Sequence, residues 1–414
     1  MPNHFIRFAE TNLVMKKKVK GLCGIFLFVL FSIACEKTMP ILIEENELLD
    51  GPIEGLSTEE QVQFLKGDEF FNDDIFTIEK GLGPIFNAVS CASCHAGDGK
   101  GHPFIRFTRF GQSDTISGNQ FLNFGGPQLQ NRAIPGYEPE QLPANAAFTN
   151  LLAPAVTGLG FLDAVSDADV IALADPNDAD GDGISGRPHW NYIPNYVQLR
   201  PNSISQNGQY ITRFGKKGAA YDLLHQTSGA YNQDMGITSL FEPIDTYSGL
   251  EFDPEVASQT VHDVVFYLKT LKAPLRRDEG APDVMAGEQL FSQIKCASCH
   301  TPTLQTGFSS IDVLSYKEFY PFTDLLLHDM GSGLDDGYTE GKALSSEWKT
   351  PALWGLGLSK DAQGGNYFLL HDGRATSIED AILFHGGEAE QSKINYTLLS
   401  DIQKGQLIKF LESL

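Results

Sequence analysis

Cys91-Ala92-Ser93-Cys94-His95 recurs letter for letter as Cys296-Ala297-Ser298-Cys299-His300. Two thiols spaced by two residues can form thioethers to the two vinyl groups of one porphyrin, and the adjacent His then reaches the iron as proximal ligand. With six Cys and ten His in 414 residues, about 0.002 chance copies of CxxCH are expected. A shared zinc site would need Cys₄ from pairs about 200 residues apart and would leave both histidines idle. A thioredoxin-like redox pair needs a βαβ setting, absent here. The expectation is two covalently attached haem c groups, held by Cys91, Cys94, Cys296 and Cys299 with His95 and His300 as proximal ligands.

The flanking sequence repeats in the same order. Ser57-Thr58-Glu59-Glu60 is a capping box that opens an amphipathic helix through Phe70 and Phe71. Before the second motif, Ala286, Leu290, Phe291 and Ile294 share one face of a helix starting near Asp283. Asp253-Pro254 reads as N-cap and N1 of a closing helix, whose stripe is Ala257, Val261, Val264, Val265, Leu268 and Leu271. Ser400 and Gln403 box a last helix that buries Leu407, Phe410, Leu411 and Leu414. The fold expected is mainly α: two class I cytochrome c-like domains at 55–275 and 282–414. Residues 272–282 form the linker, and a loop-rich insertion at about 151–250 enlarges the first domain.

Lys16, Lys17, Lys18 and Lys20 precede the apolar run Gly21 to Ala34. Fourteen helical residues rise about 21 Å, short of a ~30 Å hydrocarbon core. Basic cluster, short apolar run and small residue make a secretory signal. Ser32-Ile33-Ala34-Cys35 resembles a bacterial lipobox, so residues 1–34 read as a lipoprotein signal with Cys35 lipidated. An ordinary cleaved signal and an uncleaved anchor are the alternatives. Export agrees with haem attachment, which bacteria carry out outside the cytoplasm. The expected location is the periplasm or the outer membrane, held by lipid alone.

Charge narrows the partners. The chain has 30 basic and 53 acidic residues, net −23. Loss of Arg7, four lysines and Glu10 with the signal leaves 25 and 52. Such a chain is a poor nucleic-acid binder. Its acidic surface is solvated or steers a basic electron-transfer protein. No internal apolar run reaches about 20 residues, which excludes a polytopic membrane protein.

The distal ligands are less constrained. Met330, in Leu327-His328-Asp329-Met330-Gly331, is the one Met after the second motif. A thioether opposite His favours reduced iron. His328, His371 and His385 are the other candidates, and a core role for Met330 is the plain alternative. Gln233-Asp234-Met235-Gly236 echoes Asp-Met-Gly, each copy preceded by Asp-Leu-Leu and a His. Met235 is therefore a candidate at the first haem, beside His102, His189, His225, His262 or an open iron. Asp178, Asp180 and Asp182 alternate with small residues as Ca²⁺ oxygen ligands do, or form an Asx turn. Trp190 could bridge the haems or simply pack. Arg213, Lys216, Lys217 and Arg374 could meet haem propionates or be solvated.

The chain resembles the bacterial di-haem oxidoreductases, described as peroxidases and earlier as thiol oxidoreductases. The shared wording is Asp180-Gly181-Asp182-Gly183-Ile184-Ser185-Gly186-Arg187, Arg213-Phe214-Gly215 and Asp234-Met235-Gly236-Ile237-Thr238. It continues as Thr323 to Gly331, Glu347-Trp348-Lys349-Thr350-Pro351, Trp354-Gly355-Leu356-Gly357, His371-Asp372-Gly373-Arg374-Ala375 and His385-Gly386-Gly387-Glu388-Ala389. A more distant likeness is to di-haem cytochrome c peroxidases. The resemblance implies that one haem stores an electron while the other meets peroxide. By it, the second unit with Met330 is the storing site and the first is peroxidatic. The displaceable His and acid–base Glu of those peroxidases have no evident counterpart near the first motif. The leading expectation is a peroxidase drawing electrons from a small redox protein. A non-enzymatic di-haem electron carrier and an oxidase of a protein or metal substrate, docking on 151–250, are the alternatives.

Overall fold

Each CxxCH motif lies beside a pair of helices that cross where one of them has no side chain. The computed structural model describes residues 48–111 and 127–414. The signal segment 1–34 and Cys35 lie outside the described residues. Six helices frame the motifs: α1 (Thr58–Asp68), α2 (Leu223–Met235), α3 (Ser258–Thr270), α4 (Pro282–Gln293), α5 (Ile378–Phe384) and α6 (Asp401–Ser413). Both capping boxes form, at Ser57 with Glu60 and at Ser400 with Gln403. The start at Asp253-Pro254 is corrected: α3 begins at Ser258 behind Ala257, which offers no capping side chain. Asp253 instead accepts Thr238 Oγ1 through its carbonyl at 3.2 Å. Among the described residues no helix is long and apolar enough to cross a membrane.

In the first half α1 crosses α3 at Gly67. A Cβ there would lie 2.1 Å from the Asp263 carbonyl oxygen. In the second half α4 crosses α6 at Gly287, where a Cβ would lie 2.1 Å from the Gln406 carbonyl oxygen. Four residues beyond each glycine stands a buried phenylalanine, Phe71 or Phe291. Phe71 packs on Tyr267 with ring centroids 5.4 Å apart, and Phe291 on Phe410 at 5.3 Å. The α3 stripe Val261, Val264, Leu268 and Leu271 is buried, each side chain contributing about 1.5–3 kcal/mol. Tyr267 Oη donates to buried Asp98 at 2.7 Å, which ties α3 to the loop after the first motif.

The insertion is more ordered than its composition suggests. Short helices at Leu159–Ala164 and Asp167–Ala172 lead into an antiparallel sheet of β1 (His189–Asn191), β2 (Ser205–Gln206) and β3 (Gln209–Thr212), with β3 central. Helix α2 follows, N-capped by Asp222 and ended by left-handed Gly236. Leu162, Val165, Val170 and Ile211 of this region share a core with Leu304, Phe319, Leu325 and Leu326 of the second half. Strands β4 (Leu327–Asp329) and β5 (Glu347–Lys349) pair antiparallel beside that core. The linker is strapped down, because Arg277 N–H donates to Ser413 O at 2.8 Å.

Gly67→Ala and Gly287→Ala each force a methyl into a facing backbone. Each haem-loaded variant is expected to lose about 1–3 kcal/mol. The readout is an earlier denaturation midpoint at unchanged slope. A wild-type midpoint would contradict the close crossing.

Candidate haem sites

Each pentapeptide forms one tight 3₁₀ turn, Cys91–Ser93 and Cys296–Ser298. The His95 and His300 N–H groups close it on the Cys91 and Cys296 carbonyls, both at 3.0 Å. Thiols and imidazole are thereby fixed by backbone alone. His95 Nδ1 lies 2.9 Å from Pro154 O and His300 Nδ1 3.1 Å from Phe322 O. A carbonyl only accepts, so Nδ1 carries the proton and Nε2 is the free lone pair, the tautomer a metal needs. Burial pushes both histidines down to about 4, keeping them neutral. Phe71 stands 5.8 Å from the His95 ring and Phe291 6.4 Å from that of His300. The four motif cysteines form no disulfide with one another, and burial pushes the Cys91, Cys94 and Cys296 thiols up to about 12.

The second motif has an imidazole opposite it. His385, just past the end of α5, has its ring centroid 6.5 Å from that of His300. Its Nδ1 is held by Ala381 O at 2.6 Å. Two imidazoles bound through Nε2 at ~2 Å to one metal place their centroids roughly 6 Å apart. His385, one of the other candidates, is the residue brought against His300. Met330 packs against the cluster of Leu151, Leu334 and Trp348, and Leu370 packs against both this cluster and the one that takes in Cys296. His371 stacks on Trp348 at 3.8 Å and 10°. His328 has both ring nitrogens on carboxylates, Nδ1 on Glu388 at 2.7 Å and Nε2 on Asp324 at 2.8 Å. Burial opposes its charge, but those bonds and Cys299 carry it up to about 12.

Around the first motif the other candidates are engaged elsewhere. His225 accepts Tyr221 N–H at 3.2 Å, His262 packs on Phe241, and His102 packs on Phe104 and Phe368. Met235 is buried in the apolar cluster that also takes in Cys91. None of these makes a hydrogen bond or ring contact with His95 among the described residues. The Asp-Met-Gly echo is one of letters: Met235 ends a helix, whereas Asp329-Met330-Gly331 leaves a strand. Asp234 is the charged group that weighs most on the Cys91 and Cys94 thiols. Burial pushes its carboxyl up to about 6 against Gln128 and Arg109.

Three of the four proposed propionate partners are committed elsewhere. Arg213 binds Asp167 at 2.6 Å, Lys217 donates to the carbonyls of Leu344, Ser345 and Glu347, and Arg374 binds Asp372 at 2.8 Å. Lys216 remains, joined by two lysines the sequence did not single out. Burial pushes Lys100 and Lys349 down to about 8 and Lys216 well down, where the other two repel it. No carboxylate pairs with these three within 4 Å among the described residues. Paired thiols, imidazoles with free Nε2 and half-buried lysines without a carboxylate within 4 Å among the described residues fit a covalently held dicarboxylate porphyrin. Trp190 pairs across β1 and β3 with Ile211 and packs in the shared core.

The acidic loop folds differently from its sequence reading. Asp175, Asp178 and Asp180 bring oxygens within 4.8 Å of one another. Asp182 instead reaches Lys295 Nζ at 3.6 Å. Asp178, Asp180 and Asp182 each also accept a backbone N–H, as an Asx turn does.

His189 is buried, with Nδ1 on Lys217 O at 2.7 Å and Nε2 facing Asn191 Nδ2 and the Lys342 N–H. Two donors meet Nε2, so protonation there is opposed. Burial pushes His189 down to about 4. Its folded pKa lies below the unfolded ~6.5, so its contribution is complete above about 6.5 and lost as pH falls towards 4, up to about 3 kcal/mol. Unfolding free energies measured from pH 7 to 4 are expected to fall less steeply in His189→Gln. Superimposed curves would reject the assignment.

A family model described as "Di-haem oxidoreductase, putative peroxidase" matches residues 45–111 and 149–414. No curated protein matches the chain. Among solved structures, a MauG-like protein associated with microbial copper homeostasis aligns at 12% identity and TM-score 0.41, covering 91% of this chain and 95% of its own. Kuenenia stuttgartiensis hydrazine synthase aligns at 13% identity and TM-score 0.38, covering 91% of this chain and 94% of its own. With the family match spanning most of its length, the chain belongs to the di-haem oxidoreductase family.

Proposed function

We propose that the chain is a di-haem c-type peroxidase. It reduces hydrogen peroxide to two waters with two protons and two electrons, the electrons coming from a small redox protein. The bound haems supply one-electron chemistry at iron. Cys91, Cys94, Cys296 and Cys299 would hold them as thioethers, and the free Nε2 atoms of His95 and His300 would bind the irons. His385 would be the second imidazole to hold the haem of the second motif, the one that would store an electron, and the first motif, with no second imidazole packed on His95 among the described residues, would be where peroxide reacts.

One asymmetry carries this reading. His385 lies 6.5 Å from His300 with its Nδ1 anchored, while the ring packed on His95 among the described residues is Phe71 and no second imidazole. An oxidant reaches iron only where a coordination position is free. Asp234, half-buried near the first pair of cysteines with its carboxyl pushed up to about 6 by desolvation, would hold a proton for the departing water. Export as a lipoprotein through Cys35 completes the proposal, since thioether attachment takes place outside the cytoplasm.

EPR of the protein carrying both haems is expected to show one low-spin and one high-spin iron. His385→Ala converts the low-spin signal. Two low-spin irons with no peroxide turnover would mean an electron carrier instead. Asp234→Asn is expected to slow peroxide turnover at least about 10-fold. Wild-type turnover would remove Asp234 from the mechanism.

A further inference from the structure

The bonding of His328 goes beyond what haem attachment requires. Both of its ring nitrogens meet carboxylate oxygens, Glu388 Oε2 at 2.7 Å and Asp324 Oδ2 at 2.8 Å. Carboxylates accept, so each nitrogen donates unless one acid is protonated. Glu388 already receives the Ser185 N–H at 3.0 Å, Ser185 Oγ at 2.7 Å and the Asp329 N–H at 3.2 Å. Asp324 receives the Leu326 N–H at 2.9 Å. Four donors besides His328 thus leave little room for a carboxyl proton, and the imidazole is a cation. Its Nδ1 lies 3.6 Å from Cys299 Sγ, a sulfur of the second motif.

Three glycines let the backbones close on this cation. A Cβ at Gly186 would lie 2.5 Å from His328 Cε1. A Cβ at Gly331 would lie 2.7 Å from Gly387 N, and one at Gly387 2.2 Å from Asp329 O. Segments 185–187, 327–331 and 386–388 therefore meet at one point, and the last follows directly on His385. The ligand atoms of Cys299, Asp324 and His328 also lie within 4.8 Å of one another. Thioether formation takes Cys299 out of that set, which leaves too few groups for a metal.

We propose that His328 is a positioning residue: a fixed cation between Asp324 and Glu388 that clamps the turn after His385 to the Cys299 side of the second motif and tunes the reduction potential of the haem there. This rests on the assignment of His300 and His385 as axial ligands. The triad carries one positive and two negative charges. Removing the cation leaves two carboxylates beside the haem, which favours oxidised iron. Removing one carboxylate leaves the triad neutral, which favours reduced iron.

The test is a spectroelectrochemical titration of the low-spin haem in the protein carrying both haems. His328→Gln is expected to lower its potential and Glu388→Gln to raise it, with the low-spin spectrum kept in both. Opposite shifts support the fixed charge. Shifts of the same sign, no shift, or loss of the low-spin spectrum in Glu388→Gln overturn it. If His328→Gln does not mature, Asp324→Asn replaces it and must raise the potential as Glu388→Gln does; a fall or no change overturns the proposal. The ligand assignment fails separately, when the unsubstituted protein has no low-spin haem or His385→Ala leaves it unaltered.

Discussion

The His95 and His300 imidazoles are each held behind by a main-chain carbonyl and from the side by a phenylalanine locked into a helix crossing. The carbonyls of Pro154 and Phe322 fix the tautomers of His95 and His300. Phe71 and Phe291 owe their positions to Gly67 and Gly287, four residues earlier, where the helix backbones nearly touch. A bulkier residue at the crossing would move the phenylalanine, then the ring, then the nitrogen that meets iron. A ligand set by packing must have its packing set by something rigid, and a backbone-to-backbone contact is the most rigid contact available.

The two halves share this device but do not stand apart. The first-half insertion supplies Leu162, Val165, Val170 and Ile211 to a core completed by the second half. Arg187 bonds Glu347 through Nε at 2.7 Å, and Ser185 bonds Glu388. The segment 185–187 is therefore part of the second haem's surroundings although it precedes that motif by more than a hundred residues. A reading that assigns each stretch of sequence to the motif upstream of it misplaces this one. The chemistry of the second site depends on residues inserted in the first half.

What was legible in the letters is local. CxxCH, the capping boxes and the apolar stripes of α3 and α6 each lie within one turn or one helix, and their physics needs no partner. Gly67 and Gly287 carried a usable signal, since each starts a Gly-x₃-Phe spacing before its motif. His385, His328 and Lys216 stood only among several candidates and Lys100 and Lys349 carried no signal, because what distinguishes them is which carbonyl, carboxylate or cation folding brings to them. Met330 drew attention because thioethers are familiar haem ligands, yet Leu151, Leu334 and Trp348 claim it for packing. Asp182 was grouped with Asp178 and Asp180 by spacing, and Lys295 draws it away.

Net charge shows the same limit from the other side. A formal −23 describes the outside of the molecule and suggests a basic partner. One place inside has the opposite sign: Lys100, Lys216 and Lys349 stand half-buried with no carboxylate within 4 Å among the described residues, and desolvation, with repulsion by the other two at Lys216, disfavours their charge. Three such cations are costly in a bare polypeptide, because each loses hydration without gaining a counter-ion. A porphyrin brings two carboxylates that can supply one. The lysines therefore make sense as part of the folded protein only once a prosthetic group is counted among its components. The haem then completes the electrostatics of this interior as well as filling its core.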